Sequence, residues 1–266
     1  MNTAILRNRL AAFGMLLIAL IALIALAGGA TASADSLSFV SCPVYRDTDN
    51  GRKSGCWLVT DLATGVQYDI SSARSKPLFN HQALVEGQVA REQTNRCGAV
   101  ILDPVSHSVL DAPCKSIMLP GEGYPGMVAV LPSEIIMPVK VPRKLPAAPF
   151  TRQRFEVLFN FDSDFIVYQG ADVMVERAAL YATTSKARQV TVTATADTRG
   201  AKVSGAHLAE QTSVALKRAE MIAEALRRLG VAPASIHLQQ DLKPDALPGA
   251  ELPMASRRRV TIEITP

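Results

Sequence analysis

The chain of 266 residues is short of the groups that catalytic and metal sites are built from. Its histidines, His81, His107, His207 and His237, are scattered, and its cysteines form no Cys-x-x-Cys pair, so the spacing does not suit zinc. No serine or cysteine stands in a recognisable nucleophile turn and no histidine has a visible orienting partner, which leaves no hydrolytic set and calls for no cofactor. Aromatic residues are few. Trp57, the single tryptophan, is expected to pack in a core beside a disulfide, and Tyr124 and Phe150 supply no ordered aromatic stripe. The formal charge of +4 falls to +2 without Arg7 and Arg9, too small an excess to argue for nucleic acid. Residues 35–150 lack eight alternating strands of membrane-spanning length, which excludes an outer-membrane barrel there. The sequence Asp47-Thr48-Asp49-Asn50-Gly51 has its glycine one place early for a calcium loop and no distal glutamate at the required spacing, so it reads as a hydrated turn.

What is present begins with an export signal. Arg7 and Arg9 precede an apolar run from Leu10 to Ala27, followed by Ala32-Ser33-Ala34, the order of a charged n-region, an apolar h-region and a small-residue cleavage site. The run also has the length of a membrane span, so cleavage after Ala34 and an uncleaved anchor both stay open. It carries no ionisable residue, which argues against an ion-conducting stator. The expected location is the periplasm, in association with the cell wall. Outer-membrane association fits a cleaved signal, and inner-membrane association fits an anchor. All four cysteines, Cys42, Cys56, Cys97 and Cys114, fall in the first third of the exported part, and in an oxidising compartment they suggest two disulfides. Of the three pairings, short loops favour Cys42 with Cys56 and Cys97 with Cys114.

Residues 35–118 read as a small all-β domain. Strands are expected at Cys56 to Thr60, Val66 to Ile70, Ala83 to Ala90, Gly98 to Leu102 and His107 to Leu110, with breaks at Asn50-Gly51, Thr64-Gly65, Lys76-Pro77 and Asp103-Pro104. A five-stranded barrel or sandwich, stapled because so small a core is marginal, fits this pattern, and an oligonucleotide-binding-like barrel is one such shape. Prolines at 120, 125, 132, 138, 142, 146 and 149 then mark residues 119–149 as a semi-rigid linker, part of which is apolar enough to pack on a domain or pair as an edge strand.

From residue 150 strands alternate with helices. Phe155, Val157, Phe159 and Phe161 alternate with polar residues, and a helix is expected over 169–187. A strand over 189–197 follows, then a helix over about 206–229 ended by Gly230, a short strand from Ser235 to Gln239, and a last strand through Val260, Ile262 and Ile264. The fold class is α+β, a βαβαββ sandwich with two helices on one face of the sheet. Asp197 ends the alternation of Val190, Val192, Ala194 and Ala196, where strand gives way to loop. Arg218 interrupts the apolar stripe of Val214, Ile222, Leu226 and Leu229, where a cation needs a partner. An acid and a base converging at one end of a sheet match a ligand that carries an ammonium and a carboxylate, such as diaminopimelate of a peptidoglycan stem peptide. Plainer roles compete: Asp197 as a helix cap or turn residue, Arg218 paired with Glu220 or Glu224 or half exposed, and Arg257 to Arg259 paired with local carboxylates or solvent.

Four stretches in order, Phe159-Asn160-Phe161-Asp162-Ser163, Ala196-Asp197-Thr198-Arg199-Gly200, Lys217-Arg218-Ala219 and Arg258-Arg259-Val260-Thr261-Ile262-Glu263-Ile264, give residues 150–266 a resemblance to the OmpA-like peptidoglycan-binding domain. The resemblance implies that Asp197 accepts the ammonium of diaminopimelate and Arg218 holds its carboxylate. It places Gln211 where the family has a ligand-touching asparagine, and Asp162 with Ser163 in the neighbouring loop. The chain departs from the family in having Ala194, Thr195 and Ala196 in place of Gly-His-Thr. It also has about six extra residues between Gly200 and Gln211, Lys202 to His207 among them, in a position to form a lid, a partner site or a tolerated loop. The expected function is non-catalytic: a cell-envelope protein that binds peptidoglycan and presents its β-domain to another envelope protein. The alternative is a component of an envelope complex whose OmpA-like domain has ceased to bind the wall, with the insertion docking a partner.

Overall fold

The structure, a computed structural model, describes residues 36–49, 54–94, 96–126, 143–166 and 169–266. The export segment, the Asn50-Gly51 part of the expected turn and the apolar portion of the proline-rich stretch, residues 127–141, lie outside the described residues. Among the described residues no helix is long and apolar enough to cross a membrane.

The first part is a seven-stranded sheet of β1 (Leu37–Ser41), β2 (Val44–Arg46), β3 (Cys56–Thr60), β4 (Gln67–Asp69), β5 (His81–Val89), β6 (Val100–Pro113) and β7 (Met118–Leu119), in the order β1-β5-β6-β4-β3-β2-β7. It exceeds the five strands expected from sequence, because β1, β2 and β7 are short elements with weak alternation, β1 and β7 at the edges of the sheet. The two strands expected on either side of Asp103-Pro104 are one continuous strand. The proline is accommodated because the β5–β6 register shifts between Gly87 and Val89, so no ladder bond is demanded there. Trp57 is buried, but its neighbours are aromatic: its ring centroid lies 4.8 Å from Phe79 and 5.2 Å from Tyr45.

Two disulfides form, with pairings other than the short-loop ones. Cys42 is bonded to Cys114 and Cys56 to Cys97. Sheet order overrides loop length here. β2 pairs in parallel with β7, which brings the chain after Cys114 back beside Cys42. β4 lies between β3 and β6 and pairs with both, which keeps β3 and β6 close in one sheet although they are far apart in sequence. Parallel neighbours are necessarily distant in sequence.

The second part comprises β8 (Gln153–Leu158), α1 (Gln169–Thr184), β9 (Gln189–Thr195), β10 (Ala201–Val203), β11 (Ala206–Leu208), α2 (Thr212–Arg228), β12 (Ile236–Asp241) and β13 (Arg259–Thr265). Its sheet has the order β12-β9-β13-β8, with β12 parallel to β9 and β13 antiparallel to both of its neighbours. Val190, Val192 and Ala194 of β9 and Val260, Ile262 and Ile264 of β13 share a fully buried face with Ala219, Ile222 and Leu226 of α2 and Val175, Ala178 and Ala179 of α1. Burying each large aliphatic side chain is worth roughly 1.5–3 kcal/mol. Helix α2 ends as a Schellman motif: Gly230, at φ 93°, donates to the Arg227 carbonyl and Val231 donates to the Leu226 carbonyl. It starts at Thr212, later than expected, because the extra residues form the β10–β11 hairpin. Ser204 and Gly205 turn that hairpin with positive φ, as a tight two-residue turn requires.

The two sheets are held against each other by specific contacts. Arg258, just before β13, makes a bidentate ion pair with Glu86 of β5, with both side chains buried. Phe161 N–H donates to Ser108 Oγ at 2.8 Å, Gln88 Nε2 to the Glu251 carbonyl at 2.6 Å, and Val40 N–H to Ser204 Oγ at the hairpin tip at 2.8 Å.

His107 of β6 is buried, with Nε2 2.9 Å from the Ser75 carbonyl, at a cleft of about 220 Å³ that Lys76, Asn160, Phe161 and Ser163 also line. Burial lowers its pKa below the ordinary 6.5, partly offset by that carbonyl bond. The unfolded chain therefore takes up a proton at His107 as pH drops through 6.5, before the folded chain does, and stability falls with pH from that point downward. Urea midpoints between pH 7.5 and 5 should decline less steeply in His107→Gln than in the wild type.

Candidate ligand site

The residues singled out from sequence, Asp162, Ser163, Asp197, Gln211 and Arg218, meet at one place, and the group they surround is one that the sequence reading did not single out: Glu210. Its carboxylate accepts four charge-assisted or backbone hydrogen bonds. Asp162 N–H and Asp197 N–H donate to Oε1 and Oε2 at 2.8 Å each, and Arg218 approaches through Nη2 to Oε1 at 2.6 Å and Nη1 to Oε2 at 3.2 Å. Both side chains of this pair are 0% exposed. Such a planar fork with two supporting N–H groups is a complete carboxylate receptor.

Each donor is positioned by its own element. Asp162 ends the turn after β8 with φ 50°, a left-handed conformation that aspartate tolerates. Its carboxylate is in turn fixed by Gln211, which donates from N at 2.8 Å and from Nε2 at 2.9 Å. Arg218 projects from the buried face of α2. Its remaining donors are spent on three carbonyls: Ser163 at 2.8 Å, Thr195 at 2.6 Å and Asn160 at 3.0 Å. Its guanidinium carbon lies 5.1 Å from the centre of the Phe159 ring. Neither helix acid proposed as its partner serves. Glu220 is exposed, and Glu224 pairs outward with Arg227 and Arg228, which hold its carboxyl below the usual range. The signal in the sequence was the buried cation itself. A search for its counter-charge beyond α2 reaches Glu210, which closes the loop into the helix.

Asp197 lies two residues past β9, 7% exposed. Oδ2 accepts from Arg257 Nη1 at 3.1 Å. Oδ1 is buried and accepts no hydrogen bond, with Arg199 Nε 3.8 Å away. Thr195, where the OmpA-like family has histidine, uses its hydroxyl to bridge to the backbone at Arg257 and Arg259, which fixes the segment that aims Arg257 at Asp197. The other tail arginines are also engaged, Arg258 by Glu86 and Arg259 by Glu156 at 3.7 Å. The latter is local, whereas Glu86 lies on the other sheet. Ser163 contributes its carbonyl to Arg218, while its hydroxyl accepts from Phe165 N–H at 3.2 Å.

Gly200, at φ 62°, permits the sharp exit from this loop into β10, because a Cβ there would run into the Leu208 carbonyl. The hairpin that follows returns directly to Glu210. Asp69, Cys56 and Cys97 come close together in the first sheet, but the two sulfurs are bonded to each other and Asp69 pairs with Arg96 at 2.8 Å, which accounts for that cluster without a metal.

No protein-family model matches the chain, and no curated protein matches it. Solved structures do match its C-terminal part. The OmpA-like domain of FopA1 from Francisella tularensis subsp. tularensis SCHU S4 is 17% identical over 43% of this chain and 73% of that one, with a TM-score of 0.35. The peptidoglycan-associated lipoprotein from Burkholderia pseudomallei is 26% identical over 42% and 90%, with a TM-score of 0.34. The cell wall anchor of the T6SS from Pseudomonas aeruginosa is 21% identical over 43% and 81%, with a TM-score of 0.33. Over its C-terminal 42–43%, this chain is similar to OmpA-like domains.

Proposed function

We propose that the chain is a non-catalytic protein of the cell envelope that binds peptidoglycan through residues 150–266, taking the diaminopimelate of the stem peptide, and that it presents its disulfide-bonded sheet in the periplasm to another envelope protein. One observation carries the ligand class: a carboxylate receptor made by Arg218 and two backbone N–H groups stands beside a buried carboxylate oxygen, Asp197 Oδ1, that lacks a donor. A carboxylate and an ammonium on one carbon satisfy both. An orphaned buried acceptor is costly, on the order of 1–3 kcal/mol, and an ammonium ligand would relieve that cost. The sequence motifs that resemble the OmpA-like family point to the same ligand.

Sedimentation with purified peptidoglycan sacculi tests this reading. Asp197→Asn keeps the backbone N–H and the shape of the side chain but removes the charge, and it should weaken binding by about tenfold or more. Equal sedimentation of the folded variant and the wild type would sink the assignment of Asp197. A second reading has its own observation: Glu210 already satisfies Arg218, as in a scaffold whose pocket has lapsed. That reading expects no sedimentation of the wild type and loss of complex formation when Lys202 to His207 are removed.

A further inference from the structure

Resting on the reading of this pocket as a ligand site, we infer that Glu210 is an internal ligand, delivered by the β10–β11 hairpin, and that an external carboxylate enters only when Glu210 withdraws. Three features converge on this. The carboxylate of Glu210 takes up every donor the pocket directs at a carboxylate, and with the Arg218 side chain wholly buried no face of the guanidinium remains for a second one. Glu210 lies outside α2, two residues beyond the end of β11, on the segment that leaves Gly200 and returns to the helix. Its side chain can therefore leave the arginine without unwinding the helix, while its backbone stays tied to the site by the bond from Glu210 N–H to the Asp197 carbonyl at 3.1 Å. The hairpin is also anchored away from the pocket. Val203 is buried, β10 runs along β1, and Ser204 Oγ accepts from Val40 N–H. The first sheet thus holds the plug in place, and occupancy of the pocket is coupled to the seating of the hairpin on β1.

The affinity for an external ligand is reduced by the fraction of molecules in which Glu210 is seated, and removing the competitor lifts that reduction. The test uses the full chain and Glu210→Ala, which leaves Arg218 and the two N–H groups intact. Two probes separate this inference from the functional reading. Acetate, compared with chloride at matched pH and ionic strength, should raise the melting temperature of Glu210→Ala by several degrees or more and leave the wild type unchanged. Sacculi and free meso-diaminopimelate should bind Glu210→Ala at least about tenfold tighter than the wild type. Acetate rescue without binding to sacculi upholds the internal ligand and overturns the wall-binding function. Equal binding of sacculi by the two proteins with no acetate rescue overturns the internal ligand and leaves the function standing. Should Glu210→Ala fail to fold in either salt, hydrogen exchange of the wild type decides. Bound muropeptide should speed exchange across 201–211, and unchanged or slower exchange there would mean that Glu210 stays seated.

Discussion

Arg218→Ala should destabilise the chain by about 3–5 kcal/mol, the range for removing one partner of a buried ion pair. The loss has two sources. Glu210 is left as a buried carboxylate that keeps the N–H groups of Asp162 and Asp197 but no cation, and the carbonyls of Asn160, Ser163 and Thr195 lose the donor that Arg218 supplies. Arg218→Lys should recover little, because a single ammonium cannot span three carbonyls and a carboxylate held in fork geometry. Arg218→Met with Glu210→Leu removes both charges and should recover part of the loss. It cannot recover all of it, since the hydrogen bonds that Arg218 gives to the loop carbonyls and those that Glu210 accepts from the loop N–H groups are not replaced. Urea denaturation of the four proteins, with disulfides intact, measures the series. An Arg218→Ala loss below about 1 kcal/mol, the scale of an exposed pair, would contradict the buried geometry.

Arg258→Ala should cost a similar amount, about 3–5 kcal/mol, and should change the form of unfolding as well as its midpoint. The pair with Glu86 joins residues 172 positions apart and links the two sheets. Its loss leaves Glu86 buried in β5 with its charge uncompensated. The chain provides a separate reporter for each part: Trp57, the single tryptophan, sits in the first sheet, while α1 and α2 belong to the second. In the wild type, tryptophan fluorescence and helical circular dichroism should follow one transition. In Arg258→Ala the two curves should separate. Coincident curves with an unchanged midpoint would show that the pair does not hold the sheets together.

Local pattern carried much of the second sheet. The alternation through Val190, Val192 and Ala194, and again through Val260, Ile262 and Ile264, marks the faces that are buried, and the stripe of Val214, Ile222 and Leu226 marks the inner side of α2. Leu229, on the same stripe, is half exposed because the helix has ended there. The disulfide pairing failed for a reason of pairing at a distance. Loop entropy favours joining cysteines close in sequence, and it was overruled by parallel strand pairs that no local signal announces. The extra residues Lys202 to His207 read as a lid, a partner site or a tolerated loop, with the helix expected from about residue 206, yet Ala201–Val203 and Ala206–Leu208 pair across a two-residue turn. Asp197 and Arg218 stood out by their places at the end of a strand and on the inner face of a helix, whereas Gln211, Asp162 and Ser163 came only from the resemblance to the OmpA-like family; the structure brings the five together. Glu210 did not stand out, because its partners come from three separate segments and its own segment is irregular.

The Arg218–Glu210 pair has a consequence for descent. Exchange of either residue alone leaves a buried charge without its mate, so the two can be lost only together, and selection on folding keeps the arginine whether or not any ligand is ever bound. Persistence of Arg218 in descendants of this chain would then record stability. Asp197 differs: its Oδ1 atom accepts no hydrogen bond from the described residues, and an aspartate retained there through divergence would be the mark of a ligand still in use.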